Sequence, residues 1–102
     1  MEYRSFALLE GMKVTAVQAY ILFKVNSGME KEVSKQLAEL DEVQEASITY
    51  GEYDVIAKIN VSDLHLLEDF LADKIRSVRS VVLTSTMIIA QEFKGRKQRP
   101  LK

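Results

Sequence analysis

The chain has 102 residues, enough for one domain with a single modest core. Its hydrophobic and charged fractions, 47% and 28%, are ordinary for a soluble globular protein, and no apolar run approaches the roughly 20 residues that span a bilayer. The absence of cysteine excludes disulfides, thiol catalysis and thiolate metal sites. Because the N-terminus lacks the pattern of a signal peptide, we expect a cytoplasmic protein. The single histidine cannot form a His-rich metal site, and neither a Gly-rich phosphate loop nor a repeated Asp/Glu pattern is present, so we expect no cofactor or metal.

The formal net charge of −1 is unevenly distributed. Five of the fourteen basic residues lie in the last nine positions, which leaves nine bases against fifteen acids, a charge of −6, in the rest of the chain. They are Lys94, Arg96, Lys97, Arg99 and Lys102. Nucleic acids are bound through clustered Lys and Arg, so an acidic body argues against direct binding of DNA or RNA.

The pattern divides the chain into an N-terminal extension (1–16), a folded domain (17–91) and a basic C-terminal tail (92–102). Alternating apolar and polar residues predict a first strand over Val17–Val25. Ser27 and Glu30 have the spacing of a capping box, which predicts a helix from Ser27 to about Asp41. Strands over 43–50 and 53–61 follow, joined by a turn at Gly51 that requires a positive φ.

Ser62 or Asp63 is the expected cap of a second helix, and a fourth strand follows over Val81–Ala90. The apolar stripe predicted for this helix consists of Leu64, Leu67, Leu71, Ile75 and Val78. The order β-α-β-β-α-β predicts an α+β, ferredoxin-like fold, in which a four-stranded antiparallel sheet carries both helices on one face.

The face of the sheet without helices is predicted to be too apolar to remain in water. Its predicted residues include Tyr20, Leu22, Ile56, Val82, Thr84, Thr86 and Ile88. We expect two copies to pack through these faces as a dimeric α/β sandwich, with Tyr20, Leu22, Ile56, Val82 and Ile88 at the dimer interface. The alternative is a monomer whose terminal segments cover the patch.

Three groups of polar residues are candidates for a site. The turn Gly51-Glu52-Tyr53-Asp54 is either a hairpin only or a loop that binds a small zwitterion through N–H groups and a carboxylate. Thr84 and Thr86 project from one face of strand four and offer hydroxyl groups, and Asp69 and Asp73 lie on the polar side of the second helix. His65 is the single histidine, so it is the one candidate for histidine catalysis.

Residues Ala19 to Ala90 resemble the ligand-binding half of the leucine-responsive regulatory protein/AsnC family, the regulation-of-amino-acid-metabolism domain. The resemblance rests on the Ser27-Gly28 opening into a helix, the turn Gly51-Glu52-Tyr53-Asp54 with the strand after it, and the threonine-bearing last strand. It implies dimers that assemble into rings of eight or ten subunits, and an amino-acid effector bound between dimers. The implied ligand-binding residues are Gly51, Glu52, Tyr53, Asp54, Asp69, Thr84 and Thr86.

Full-length members of that family carry an N-terminal helix-turn-helix, for which the residues before the first strand leave no room. We therefore expect a stand-alone, non-enzymatic sensor of an amino acid or related metabolite. Its expected partners are copies of itself and full-length regulators of the same family. Two alternatives stay open: a small dimeric α+β barrel enzyme of the monooxygenase kind that uses His65, and an assembly module without a ligand.

Overall fold

The computed structural model describes residues 16–99, so most of the N-terminal extension and the end of the tail, including Lys102, lie outside the described residues. The described elements are β1 (Val17–Val25), α1 (Glu30–Ala38), β2 (Val43–Ile48), β3 (Val55–Val61), α2 (Leu64–Asp69) and β4 (Val81–Ile88). The last turn of α2 continues into a π-helical segment, Phe70–Ile75, and a 3-10 turn covers Arg96–Gln98. The predicted order β-α-β-β-α-β is confirmed.

The four strands form one antiparallel sheet in the order β2-β3-β1-β4. Alternate residues of the two central strands face the helices and are buried. Together with side chains from the helical segments they make the core: Ala19, Ile21, Phe23, Val25, Val33, Leu37, Val55, Ala57, Ile59, Val61, Leu67, Phe70 and Ile75. This is the predicted ferredoxin-like arrangement, with β2 and β4 as the two edges of the sheet.

The start of α1 differs from the prediction. Gly28 has φ +84°, and the helix begins only at Glu30, with Met29 in the N-cap position and no side-chain cap. The predicted capping box of Ser27 and Glu30 is therefore wrong, because Gly28 bends the chain between them into a conformation that a helix cannot include. The helix also ends at Ala38, before the predicted Asp41.

Asp63, one of the two residues predicted to cap the second helical segment, is its N-cap. Its carboxylate accepts a hydrogen bond from the Leu66 N–H at 2.9 Å. The buried stripe of this segment is different: Leu64 is 54% exposed, whereas Phe70, which the predicted stripe omits, is 3% exposed. Phe70 follows the buried Leu67 at the i, i+3 spacing of one helix face, and it begins the π-helical segment. Its wider turn brings Phe70 and Ile75, five residues apart, onto the same buried face.

The register of β4 corrects the predicted face of that strand. Thr84, Thr86 and Ile88 lie opposite Phe23, Ile21 and Ala19, so all three face the helix side of the sheet. The prediction that they lie on the open face is wrong. Both alternating sets of this edge strand are similarly apolar, and the sequence does not show which set faces the core.

A β-bulge adds a second irregularity to β4. Leu83 pairs with Lys24 and Val81 with Val25, so Val82 is the extra, unpaired residue. Val82 is exposed at the edge of the sheet and does not join the predicted open-face set. The strand residues that do lie there are Leu83, Ser85 and Met87, opposite Lys24, Leu22 and Tyr20.

The open face of the sheet nevertheless carries an apolar centre. Tyr20 and Leu22 of β1 and Ile56 of β3 lie on this face, as the sequence pattern predicts. Leu83 and Met87, each about half-exposed, extend it across β4. Lys58 is paired with Tyr20 on the same face, and its Nζ lies 5.7 Å from the centre of the Tyr20 ring.

Candidate functional site

The hairpin between β2 and β3 is anchored to the end of β1 by Asp54. One carboxylate oxygen, Oδ2, accepts a hydrogen bond from the Val25 N–H at 2.9 Å, and the Asp54 N–H donates to the Phe23 carbonyl at 2.8 Å. On the other side of the turn, the Thr49 N–H donates to the Asp54 carbonyl and its hydroxyl donates to the Tyr53 carbonyl. Asp54 therefore fixes the hairpin against β1, whatever else it binds.

The four residues of the turn do not converge on one cleft. Gly51 has φ +147°, which fits the predicted turn. A cleft of about 540 Å³ next to the start of α1 is lined by Gly51 and Asp54, together with Ile48, Tyr50 and Lys31. Tyr53 lies elsewhere, with its ring 5.6 Å from the Lys24 Nζ, and Glu52 is exposed at the tip. Gly51 and Asp54 are brought together, and Tyr53 and Glu52 are not.

The two threonines line a larger groove at the opposite edge of the sheet. This groove, about 620 Å³, runs between β4 and the π-helical segment, and we call it the β4 groove. Its walls are mostly aliphatic, and its polar residues are Thr84, Thr86, Glu68 and Arg76. The remaining lining residues are Leu71, Ala72, Ile75, Val78, Val81, Val82 and Leu83.

Glu68 and Arg76 are the residues of this groove that the sequence interpretation missed. The helical residues that line the groove follow the i, i+3, i+4, i+7, i+8 spacing of one helix face, so this periodicity is the sequence signal that could have found them: Glu68, Leu71, Ala72, Ile75 and Arg76. The predicted Asp69 does not join the threonines. It lines a separate cleft of about 330 Å³ on the other side of α2.

That separate cleft is acidic and partly neutralised. Asp41, Glu42, Asp69 and Asp73 line it together with Lys74, whose Nζ lies 2.9 and 3.1 Å from the two Glu42 carboxylate oxygens. This hydrogen-bonded pair lowers the pKa of Glu42 and raises the pKa of Lys74. This ion pair links the α1–β2 connection, which carries Glu42, to the π-helical segment, which carries Lys74.

The segment after β4 returns to the open face through one ion pair. The Lys58 Nζ lies 2.8 Å from Glu92 Oε2, and the hydrogen bond raises the pKa of Lys58 and lowers that of Glu92. On the open face, Tyr20 lies between Lys58 of β3 and Met87 of β4. The ion pair with Lys58 therefore brings the segment after β4 into contact with the open face. Phe93, the next residue, is exposed.

The single histidine lies on the surface of α2. The His65 side chain is 81% exposed, and its ring nitrogens are 3.9 Å from Glu68 Oε1 and from Asp69 Oδ2. It does not point into a cavity between the sheet and the helices, which is the position that the enzymatic alternative requires. Across residues 16–99, no group of three or more His, Asp or Glu side chains is arranged to hold a metal ion.

The sequence profile of the Lrp/AsnC ligand binding domain matches residues 18–99. This chain belongs to that family. The Lrp/AsnC match includes all three clefts described above and the segment that carries Glu92. No helix among the described residues is long and apolar enough to cross a membrane.

Relatives of this Lrp/AsnC domain are transcription regulators. The HTH-type transcriptional regulator FL11 of Pyrococcus horikoshii is 38% identical over 84 residues, which are 82% of this chain and 55% of that protein. The chain thus spans about half the length of the curated relatives it matches.

Solved structures show the same fold. The hypothetical protein PHS023 from Pyrococcus horikoshii is 42% identical, with a TM-score of 0.70 over 74% of this chain and 92% of that chain. The transcriptional regulator NMB0573 from Neisseria meningitidis, solved as an L-Met complex, is 19% identical with a TM-score of 0.73, over 97% of this chain and 65% of that one. The latter shows the fold alone.

Proposed function

We propose that this chain is a non-enzymatic amino-acid-sensing and oligomerisation domain of the Lrp/AsnC kind. The observation that carries the proposal is the β4 groove, which combines hydroxyl groups, one acid and one base with an aliphatic floor. An amino acid presents both charges on one end and its side chain on the other. NMB0573 was solved as a complex with L-Met, an amino acid with an apolar side chain.

Each part of the groove has a role for such a ligand. Thr84 and Thr86 donate hydroxyl hydrogen bonds to the carboxylate of the effector, and Arg76 adds charge-assisted donors. Glu68 accepts from its ammonium group. Because the rest of the lining is aliphatic, the groove favours leucine, isoleucine, valine or methionine over charged amino acids.

The effector acts through assembly. The groove is open in the single chain, and the hairpin that carries Gly51 and Asp54 lies at the other side of the sheet, so one chain does not bring the two together. A site that contains both needs a second copy. A ligand that binds only such an assembly stabilises it in proportion to its differential affinity.

The open face supports dimerisation and the choice of partner. Tyr20, Leu22, Ile56, Leu83 and Met87 form its apolar centre, and burying them between two sheets is favourable. A regulator with the same open face, such as a DNA-binding member of the family, pairs with this chain by the same contact. The DNA-binding relative then supplies the contact with DNA.

Calorimetry with individual amino acids tests the proposal. We expect heat on titration with leucine, isoleucine or methionine and little with lysine or aspartate. Thr84→Val with Thr86→Val removes both hydroxyls at nearly constant size and should weaken binding by at least about tenfold. Ser85→Ala is the matched control, because Ser85 lies between the two threonines but faces the other side of the sheet.

Unchanged affinity in the double threonine variant would remove the groove from the site. A wild-type chain that releases no heat with any of the twenty amino acids would favour the assembly module without a ligand.

A further inference from the structure

The segment that follows β4 returns to the open face of the sheet. β4 lies at one edge, next to β1, whereas Lys58 belongs to β3 on the far side of β1. The Ile89 N–H donates to the Gln18 carbonyl of β1 at 2.8 Å, and three residues later a Glu92 carboxylate oxygen lies 2.8 Å from the Lys58 Nζ. We call residues 90–94, which carry this ion pair, the crossing arm.

Lys58 is a cation within the apolar surface of the open face. It lies opposite Tyr20 and two residues after Ile56 on a central strand, and its side chain is only 13% exposed. A second sheet packed on this face removes the remaining water, and burying an unpaired ammonium group is unfavourable. In a two-fold dimer every residue of the contact occurs twice, so two such cations need a partner.

Glu92 supplies the negative charge that Lys58 needs. Its Oε2 accepts a hydrogen bond from the Lys58 Nζ, and its Oε1 lies 3.7 Å from the Lys94 Nζ. Glu45 of β2 is the cross-strand neighbour of Lys58 on the other side, and the 16–99 range describes no hydrogen bond between the two side chains. Lys58 is therefore neutralised by a residue of the arm and not by the sheet itself.

The crossing arm does not cover the apolar centre of the open face. Leu83 and Met87 are each 51% exposed, and Phe93, the neighbour of Glu92 in the arm, is 82% exposed. An arm that closed over its own sheet would bury this ring on the apolar surface. The exposed ring next to Glu92 instead adds apolar area to the surface that is open to a second copy.

We propose that the crossing arm is part of the surface that a second copy covers, and that Glu92 is the counter-ion that allows Lys58 to be buried there. The inference rests on the proposed function in one respect, since it uses dimerisation through the open face. It adds to that contact a segment outside the four strands. Pairing of two sheets then depends on the charge of one arm residue in each copy.

Sedimentation equilibrium of the full chain measures the dissociation constant of the dimer. Glu92→Gln removes the charge at constant size and should raise this constant by at least about tenfold. Because Glu92 lies outside the core, the far-UV circular dichroism spectrum should stay that of the wild type. Glu39→Gln makes the same change on an exposed residue at the end of α1 and should have no effect.

A second substitution separates the charge of Glu92 from its effect on the position of the arm. Lys58→Met removes the cation and keeps an unbranched side chain. The double variant with Lys58→Met and Glu92→Gln has no charge left to bury, so it should dimerise at least as tightly as the wild type. If Glu92 only held the arm in place, the double variant would be as weak as Glu92→Gln alone.

An unchanged dissociation constant in Glu92→Gln, or a double variant without rescue, would overturn the inference. A tighter dimer in Glu92→Gln would also overturn it, because the arm would then compete with the second copy. An open-face dimer that ignores Glu92→Gln rejects the role of the arm and retains the proposed function. A wild type that stays monomeric at every concentration, or a dimer that survives Met87→Asp, rejects the open-face dimer of the proposed function as well.

Discussion

The Val25 N–H donates a 2.9 Å hydrogen bond to the Asp54 carboxylate, which ties the β2–β3 hairpin to the end of β1. The two residues are 29 positions apart, and the bond joins the turn to the strand in the middle of the sheet. Asp54 thus positions the hairpin, and the tip residues Tyr50 and Glu52 project from a turn that is fixed at its base. The carboxylate has a structural partner before any effector arrives.

The first prediction concerns this bond. Asp54→Ala leaves the partly buried Val25 N–H without its acceptor and should lower the free energy of unfolding by about 1–3 kcal/mol. Asp54→Asn keeps an oxygen in place and should cost less than about 1 kcal/mol. Urea denaturation measures both, with Glu52→Gln at the exposed tip as the control.

Amino-acid binding by the same variants separates two roles of Asp54. If Asp54 only positions the hairpin, amino-acid binding should be weaker in Asp54→Ala and near normal in Asp54→Asn. Normal stability combined with lost binding in Asp54→Asn would instead show that the carboxylate charge contacts the effector.

The second prediction concerns the open face. Met87 and Ile88 are neighbours with equal exposure, 51% and 52%, but Met87 lies on the open face beside Tyr20 and Ile88 on the helix side beside Ala19. If two copies pack through the open face as proposed, Met87→Asp should split the dimer, because it places a charge in the contact between sheets. Leu22→Asp should do the same, and Ile88→Asp should leave the dimer intact.

Light scattering gives the mass of each variant. A dimer that survives Met87→Asp and Leu22→Asp would rule out packing through the open face. Dissociation by Ile88→Asp alone would move the contact to the other side of β4.

The third prediction concerns the π-helical segment. Phe70 is buried and should cost about 3–5 kcal/mol of unfolding free energy when changed to Ala. Leu64, which the periodic pattern assigns to the core, is exposed, and Leu64→Ala should cost less than about 1 kcal/mol. Equal losses of unfolding free energy in the two variants, measured by thermal or urea unfolding, would contradict the burial of Phe70 and the exposure of Leu64.

Local patterns predicted a large part of this protein. The period-two alternation of Val17–Val25 and 53–61 identified the central strands, because both are buried on one face and polar or half-exposed on the other. The Asp63 cap and the positive φ of Gly51 are also local properties, which depend on a few neighbouring residues. The family resemblance rests on the same short segments and on their order.

The candidate site was predicted less well, and the reasons are specific. Thr84 and Thr86 were identified, but their face was not, and the acid and base beside them, Glu68 and Arg76, were missed in favour of Asp69. Glu68 and Asp69 are adjacent in α2 and line different clefts, because successive residues of a helix point about 100° apart.

The sequence by itself determined the order of the elements, the antiparallel sheet and the membership of the central strands in the core. Those features follow from side chains that alternate in phase with their own backbone. Only the tertiary structure decided which side of β4 meets the helices, where Asp54 is anchored and which residues share the β4 groove. These depend on which residues pair across the sheet and on the bulge at Val82, since strand pairing joins residues far apart in the chain and leaves no local period to detect.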